Sequence, residues 1–143
     1  MDISIVVPFH QGLHYLKDCL DSLVGQRFSS SVNFEVILVY DRENGQGDIL
    51  PFLEEYKSSL SLRYMELEDG NGVVAARNLG LVSAAGKYVY FLDSDDYLVE
   101  DSLDILWKKV IESSADLVYG NRVVTRFKRH SFLQEFDREG LLE

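Results

Sequence analysis

Three carboxylates stand within four residues at Asp93, Asp95 and Asp96, directly after the apolar run YVYFL at residues 88–92. Such a cluster repels itself, and a hard divalent cation converts that cost into a site built of oxygen ligands. Mg²⁺ takes one or two protein carboxylates and fills its remaining positions with water and phosphate oxygens. The pattern therefore points to Mg²⁺ or Mn²⁺ shared with a phosphorylated ligand. Asp93 and Asp95 are two residues apart, so an extended strand end would turn both to one side. The competing reading is a solvated acidic turn that leads into a helix at Ser102 and is favoured by the helix dipole. Two further motifs come directly after apolar runs, Pro8-Phe9-His10 and Tyr40-Asp41. Arg77 adds a planar cation that could neutralise phosphate or pair with Asp41 or with the acidic cluster.

The elements that must position these groups are legible as alternating patterns. Residues 3–7 (ISIVV) and 34–40 (FEVILVY) are continuous apolar runs, as expected for strands covered on both faces. Between them Leu13, Leu16, Leu20, Leu23 and Val24 recur at helical spacing. Asp48 is placed to cap a helix with Pro51 in its first turn and Leu53 and Tyr56 on one face. A third strand fits residues 62–67, whose alternation places it nearer an edge. Residues 73–85 predict a helix stopped at Gly86, residues 88–92 a fourth strand, and residues 102–111 an amphipathic helix carrying Leu103, Leu106, Trp107 and Val110. Further strands are expected at residues 117–119 and 123–127. The order β-α-β-α-β-α-β-α-β predicts an α/β fold in one domain spanning residues 1–143. It is a three-layer, Rossmann-like, mostly parallel sheet with right-handed crossovers. Ligands of such sheets bind outside the carboxyl ends of the strands, where all three motifs fall.

In this order the motifs resemble those of the family 2 glycosyltransferases, whose fold is the GT-A type. The resemblance rests on ISIVVPFH at residues 3–10, EVILVYD at residues 35–41 and NGVVAARNLGLVSAAGKYVYFLDSDDY at residues 71–97. It runs over about residues 3–120 and implies the N-terminal, nucleotide-sugar-binding portion of such an enzyme, truncated before the acceptor-binding part. By that resemblance Pro8, Phe9 and His10 cradle the base, although the family usually has Tyr then Asn where this chain has His10 and Gln11. Asp41 matches the second acid of the family's Asp-Asp-Gly-Ser turn and would accept a hydrogen bond from the base ring. Tyr40 replaces the first acid, and Arg42-Glu43 replaces Gly-Ser. Arg77 would approach the nucleotide, Asp93 the ribose hydroxyls and Asp95 the divalent metal, Mg²⁺ or Mn²⁺, with Asp96 in support. The implied reaction transfers a sugar from a nucleoside-diphosphate sugar, a UDP-sugar, to a glycan or other hydroxyl acceptor with inversion, in polysaccharide biosynthesis. An inverting enzyme needs a general base, which the family carries well beyond the Asp-x-Asp motif. Nothing singles out Glu135, Asp137 or Glu139, so the base is expected outside this chain, which would then bind donor without turnover.

Composition narrows the partners. With 24 acidic against 14 basic residues the net charge is −10, which argues against nucleic acid and against a polybasic membrane contact. Membrane association is expected only through regions outside this chain. Cys19 is the single cysteine, so no internal disulfide forms and core packing is its expected role. His14 and His130 lack ligand-spaced partners for zinc. The first apolar run is too short for a signal peptide, and a soluble, cytoplasmic protein is expected. Two rivals remain. One is a non-catalytic nucleotide-binding module. The other is a haloacid-dehalogenase-type phosphatase, which expects Thr or Val where Tyr97 stands and carries Asp-x-Asp on an early strand.

Overall fold

The computed structural model describes residues 1–42, 47–68, 71–121 and 124. In chain order the elements are β1 (Ile3–Phe9), α1 (Leu13–Val24), β2 (Phe34–Arg42), α2 (Leu50–Glu54), β3 (Leu62–Glu68), α3 (Gly72–Ser83), β4 (Tyr88–Phe91) and α4 (Ser102–Ser113). The strands form one sheet in the order β3-β2-β1-β4, with every pairing parallel. Packing divides the chain into two compact units, Met1–Leu103 and Asp104–Glu143.

The first unit is built around β1 and the apolar run of β2, which are buried on both faces, as their unbroken hydrophobicity requires. Side chains alternate across the sheet. Ile37 and Val39 face α3 and pack with its buried Ala76, while Met65, Leu67 and Leu79 border the cluster. Gly80 brings α3 close to the same face, because a methyl there would stand 2.3 Å from a Val6 methyl. The connections β1-α1-β2 and β2-α2-β3 step in one direction, whereas β3-α3-β4 returns past both central strands. With right-handed crossovers, that reversal puts α3 on the face opposite α1 and α2. The three-layer, parallel arrangement expected from the sequence is therefore present.

Several boundaries differ from expectation. The helix expected to stop at Gly86 ends at Ser83, and Ala84 is already extended. Gly86 is required for another reason: a side chain there would lie 2.4 Å from the backbone nitrogen of Ser4, where β4 begins beside β1. Asp48 acts one residue before the helical cap position, its carboxylate accepting the Leu50 N–H at 2.9 Å. Leu13 and Val24, counted with the apolar stripe of α1, are exposed, and the buried face is Leu16, Cys19, Leu20, Ser22 and Leu23. Residues 117–119 form no strand: the three-residue run is isolated, and Leu117 and Tyr119 are exposed. The strand expected at residues 123–127 lies outside the described residues except for Val124, which is not in a strand. Within the second unit, Asp104 and Lys108 pair one turn apart at 2.8 Å. Among the described residues no helix is long and apolar enough to cross a membrane.

At the amino ends of the strands a buried carboxylate ties the layers together. Glu35 accepts from the Ser4 hydroxyl at 2.7 Å, the Ala85 N–H at 2.9 Å and Arg63 at 3.2 Å, and the Gly86 N–H donates to Ser4 Oγ at 2.8 Å. Burial opposes ionisation of Glu35, but the bonds from Ser4, Ala85 and Arg63 outweigh it and hold the carboxyl below the usual glutamate range. A depressed value contributes stability in full above the ordinary glutamate pKa, and this is lost as pH falls through the lower, folded value. Glu35→Gln is expected to cost about 1–3 kcal/mol near neutral pH, since bonds to a buried charged acceptor are replaced by weaker ones. The Tm difference from wild type, measured by calorimetry, should shrink as pH is lowered toward about 3.

Candidate functional site

The order β3-β2-β1-β4 has its switch point between β1 and β4, because the chain leaves these neighbours in opposite directions. A crevice at the carboxyl ends of those strands is the consequence of that topology. Pro8 and Phe9 end β1 and are buried, and the Phe9 ring packs on Tyr40 of β2 with centroids 5.2 Å apart. His10 comes next, half-buried, with Nδ1 3.0 Å from the carbonyl oxygen of Asp41. A carbonyl only accepts, so this contact places the hydrogen on Nδ1.

Asp41 is 5% exposed, and both its carboxylate oxygens are engaged. One accepts the Asn71 N–H at 2.9 Å and the other the Gly72 N–H at 2.7 Å. These amides open α3, where the first N–H groups lack intrahelical partners and the dipole favours a negative charge. Gly72 has φ of 82°, in the left-handed region that suits glycine. Asp41 therefore fixes the start of α3 from the end of β2. Apart from the Asn71-Gly72 pair at the helix start, no local pattern signals this long-range cap.

Farther along α3, Arg77 donates from Nη2 to Asp93 Oδ1 at 2.6 Å, with the two side chains 39% and 46% exposed. Of the partners left open for Arg77, the acidic cluster is the one it meets in the structure. Its Nε is buried without a hydrogen-bond partner among the described residues. The acidic motif does not continue the strand. β4 ends at Phe91, Leu92 N–H still donates to Val6 at 3.0 Å, and the Asp96 N–H then bonds to the Asp93 carbonyl at 3.0 Å. Residues 93–96 are thus a turn, and the expectation that an extended chain sets Asp93 and Asp95 on one side is corrected. Closely spaced carboxylates are accommodated by bending the chain toward water, with Asp95 exposed.

Beneath the turn lies Cys19, buried on α1, whose thiol is 3.9 Å from the Asp93 carbonyl oxygen. Burial pushes this thiol up to about 12, and the negative charges of Asp96, Asp95 and Asp93 add to the effect. Its packing in the core matches expectation, whereas its position under the acidic turn is encoded by no local pattern. Among the described residues no three His, Cys, Asp or Glu side chains converge as a metal cage. The carboxylates of the turn fit instead a cation that takes one or two protein oxygens and completes its shell from diphosphate and water.

Pro8, Phe9, His10, Asp41, Arg77, Asp93 and Asp95 thus all end or flank the carboxyl ends of β1, β2 and β4. A chain of contacts links His10 to Asp41, Asp41 to the start of α3, and Arg77 of α3 to Asp93. A doubly wound parallel sheet with charged groups gathered at its switch point defines an α/β domain that holds its ligand beyond the strand ends. The sequence pattern of glycosyl transferase family 2 matches residues 4–135. Glycosyltransferase GlyA of Streptococcus pneumoniae serotype 4 is 37% identical over 120 residues, which is 83% of this chain and 16% of GlyA. The poly(ribitol-phosphate) beta-N-acetylglucosaminyltransferase TarP of Staphylococcus aureus is 31% identical over 118 residues, 82% of this chain and 36% of TarP. The crystal structure of S. aureus TarS 1-349 in complex with UDP-GlcNAc superposes with a TM-score of 0.72 at 32% identity, covering 81% of this chain and 33% of that one. The chain belongs to glycosyl transferase family 2, and its fold is of the GT-A type. It spans 16% and 36% of the length of the two relatives, GlyA and TarP. The Asp-x-Asp motif comes after the fourth strand, away from the early strand that a haloacid-dehalogenase-type phosphatase requires.

This geometry makes stability and reactivity testable at two positions. Asp41→Ala should lose about 0.5–2 kcal/mol, the range for removal of a helix cap, read as a fall in the urea midpoint at unchanged slope. Cys19 should resist iodoacetamide at pH 8 in the native protein and react readily in urea, because burial and the adjacent carboxylates both disfavour the thiolate. Rapid labelling without denaturant would contradict the packing of Cys19 under the turn.

Proposed function

We propose that this chain binds a UDP-sugar at the carboxyl ends of β1, β2 and β4, as the donor-binding portion of a glycosyltransferase acting on a glycan or other hydroxyl acceptor. The observation that carries the reading is the convergence of His10, Asp41, Arg77 and the acidic turn at the switch point of the sheet. The likeness to TarS, which was crystallised with UDP and with UDP-GlcNAc, favours uridine as the nucleoside.

In this reading Pro8, Phe9 and His10 form the wall beside the base, with the Phe9–Tyr40 stack fixing its depth. Asp41 sits beside that wall at the start of α3, where its carboxylate meets the base edge. Arg77 is held against Asp93 at 2.6 Å, which leaves its guanidinium poised to meet phosphate charge when a donor enters. Asp93 uses Oδ1 for Arg77 and offers Oδ2 to the ribose hydroxyls. Asp95, exposed at the tip of the turn, would hold Mg²⁺ or Mn²⁺ together with the diphosphate, and Asp96 supports the turn. The cation supplies Lewis-acid stabilisation of the departing nucleoside diphosphate. Inversion is the expected stereochemical course, and no acceptor base is assigned among these residues. The cytoplasm is the compartment in which we place the reaction.

Calorimetric titration of UDP, GDP and CDP, in Mn²⁺ and in chelator, tests the proposal. UDP should bind only with Mn²⁺, and Asp95→Ala should weaken it at least about tenfold, as for loss of a metal-site contact. Equal UDP binding in chelator would remove the metal from the proposal. Failure of all three nucleotides to bind would remove the donor site.

A further inference from the structure

The segment from Asp93 to Leu103 joins β4 to α4 without regular structure of its own until Ser102, yet its backbone groups are bonded in an ordered series. Such a segment must find partners for its N–H and C=O groups outside itself. The partners come from one stripe at the end of α1. Cys19 lies under the Asp93 carbonyl oxygen at 3.9 Å. One helical turn later, the buried Ser22 hydroxyl donates to the Cys19 carbonyl at 2.6 Å and accepts the Leu98 N–H at 3.1 Å. Gln26, just past the helix, uses its whole amide: Nε2 donates to the Ser22 carbonyl at 3.1 Å and to the Val99 carbonyl at 2.7 Å, and Oε1 accepts the Leu103 N–H at 3.0 Å. The Arg27 N–H then donates to the Glu100 carbonyl at 2.7 Å.

We infer that Ser22 and Gln26 are positioning residues for the acidic turn, setting where Asp93 and Asp95 stand toward a bound diphosphate. The inference rests on the donor-binding reading above. The turn at residues 93–96 is anchored on one side by β4, through the Leu92 N–H to Val6 bond. On its other side the first backbone groups with side-chain partners on α1 or just past it are Leu98, Val99 and Leu103. Only a side chain with two donors and an acceptor on one amide makes all three bonds of Gln26. A carboxylate there would face the Ser22 and Val99 carbonyls with no proton to give, and an aliphatic chain would leave three groups unpaired. With the Gln26 bonds removed, the segment after the turn keeps only the Ser22–Leu98 and Arg27–Glu100 bonds of this series, and displacements of about 1 Å at a charged ligand are enough to weaken the geometry it must hold.

The test compares wild type with Gln26→Leu and Ser22→Ala, using Glu35→Gln as a control destabilised at the opposite end of the sheet. All are measured well below their Tm. Amide hydrogen exchange should quicken across residues 93–103 in Gln26→Leu and Ser22→Ala and not in the control. The Mn²⁺ concentration needed for half-maximal UDP binding should rise about tenfold in these two variants, the size of effect seen when the partners that orient a metal ligand are lost, and should stay at the wild-type value in Glu35→Gln. If Gln26→Leu fails to fold, Ser22→Ala carries the same comparison. Unchanged exchange, or quickened exchange with an unchanged Mn²⁺ requirement, would overturn the positioning role alone. Wild-type protein that binds no UDP would overturn both this inference and the donor site.

Discussion

β1 is paired on both sides, to β2 over its whole length and to β4 over its first half, and it is buried on both faces. The site depends on this one constraint. A strand in that position leaves its chain only one exit, beyond its carboxyl end, and the residues after Phe9 must lie at the mouth of the sheet. The shorter β4 stops opposite Val6, and the segment after it turns to meet α1. His10 and the acidic turn follow neighbouring strands of unequal length whose connections run in opposite directions.

Polar chemistry is divided between the two ends of the sheet. At the amino end Glu35 is enclosed, and Ser4, Ala85 and Arg63 satisfy its oxygens. At the carboxyl end the carboxylates are less enclosed: Asp93 is half exposed and Asp95 exposed. A buried acid that is fully hydrogen-bonded gives rigidity, whereas a partly hydrated one retains capacity to bind. Asp41 stands between these cases. It is buried and bonded like Glu35, but it lies at the carboxyl end, where ligands of such sheets bind, and its partners are the amides that start α3. The same carboxylate therefore sets the helix that carries Arg77. The carboxyl end of β2 and Arg77 are joined through one element.

Much of this is legible in the sequence where the signal is local. The apolar runs of β1 and β2, the edge character of β3 and the motifs after β1, β2 and β4 come from residue type and period alone. Two of the failures concern contacts between residues far apart in the chain. Gly86 reads as a helix stop because glycine commonly ends helices, but the demand on it comes from Ser4, 82 positions away. Arg77 has three possible partners in sequence, and only the packing of α3 selects Asp93. Asp93 and Asp95 read as alternating in a strand, whereas the repulsion of adjacent carboxylates is relieved by a turn. The isolated apolar residues 117–119 carry β-type composition without a neighbouring strand to complete it, and composition alone does not make a strand.

The acidic turn also shows why its surroundings are chosen as they are. Three carboxylates in four residues would favour an open, solvated chain, since each is stabilised by water and repelled by the others. Arg77 offsets one charge from the α3 side. From the α1 side the groups beneath the turn are neutral: a thiol that burial and the carboxylates keep protonated, a hydroxyl and a carboxamide. A cation at Cys19, Ser22 or Gln26 would have bound the carboxylates inward and competed with any ligand for them. Neutral donors and acceptors hold the backbone of the segment, so the turn is ordered through its main chain while Asp95 stays exposed.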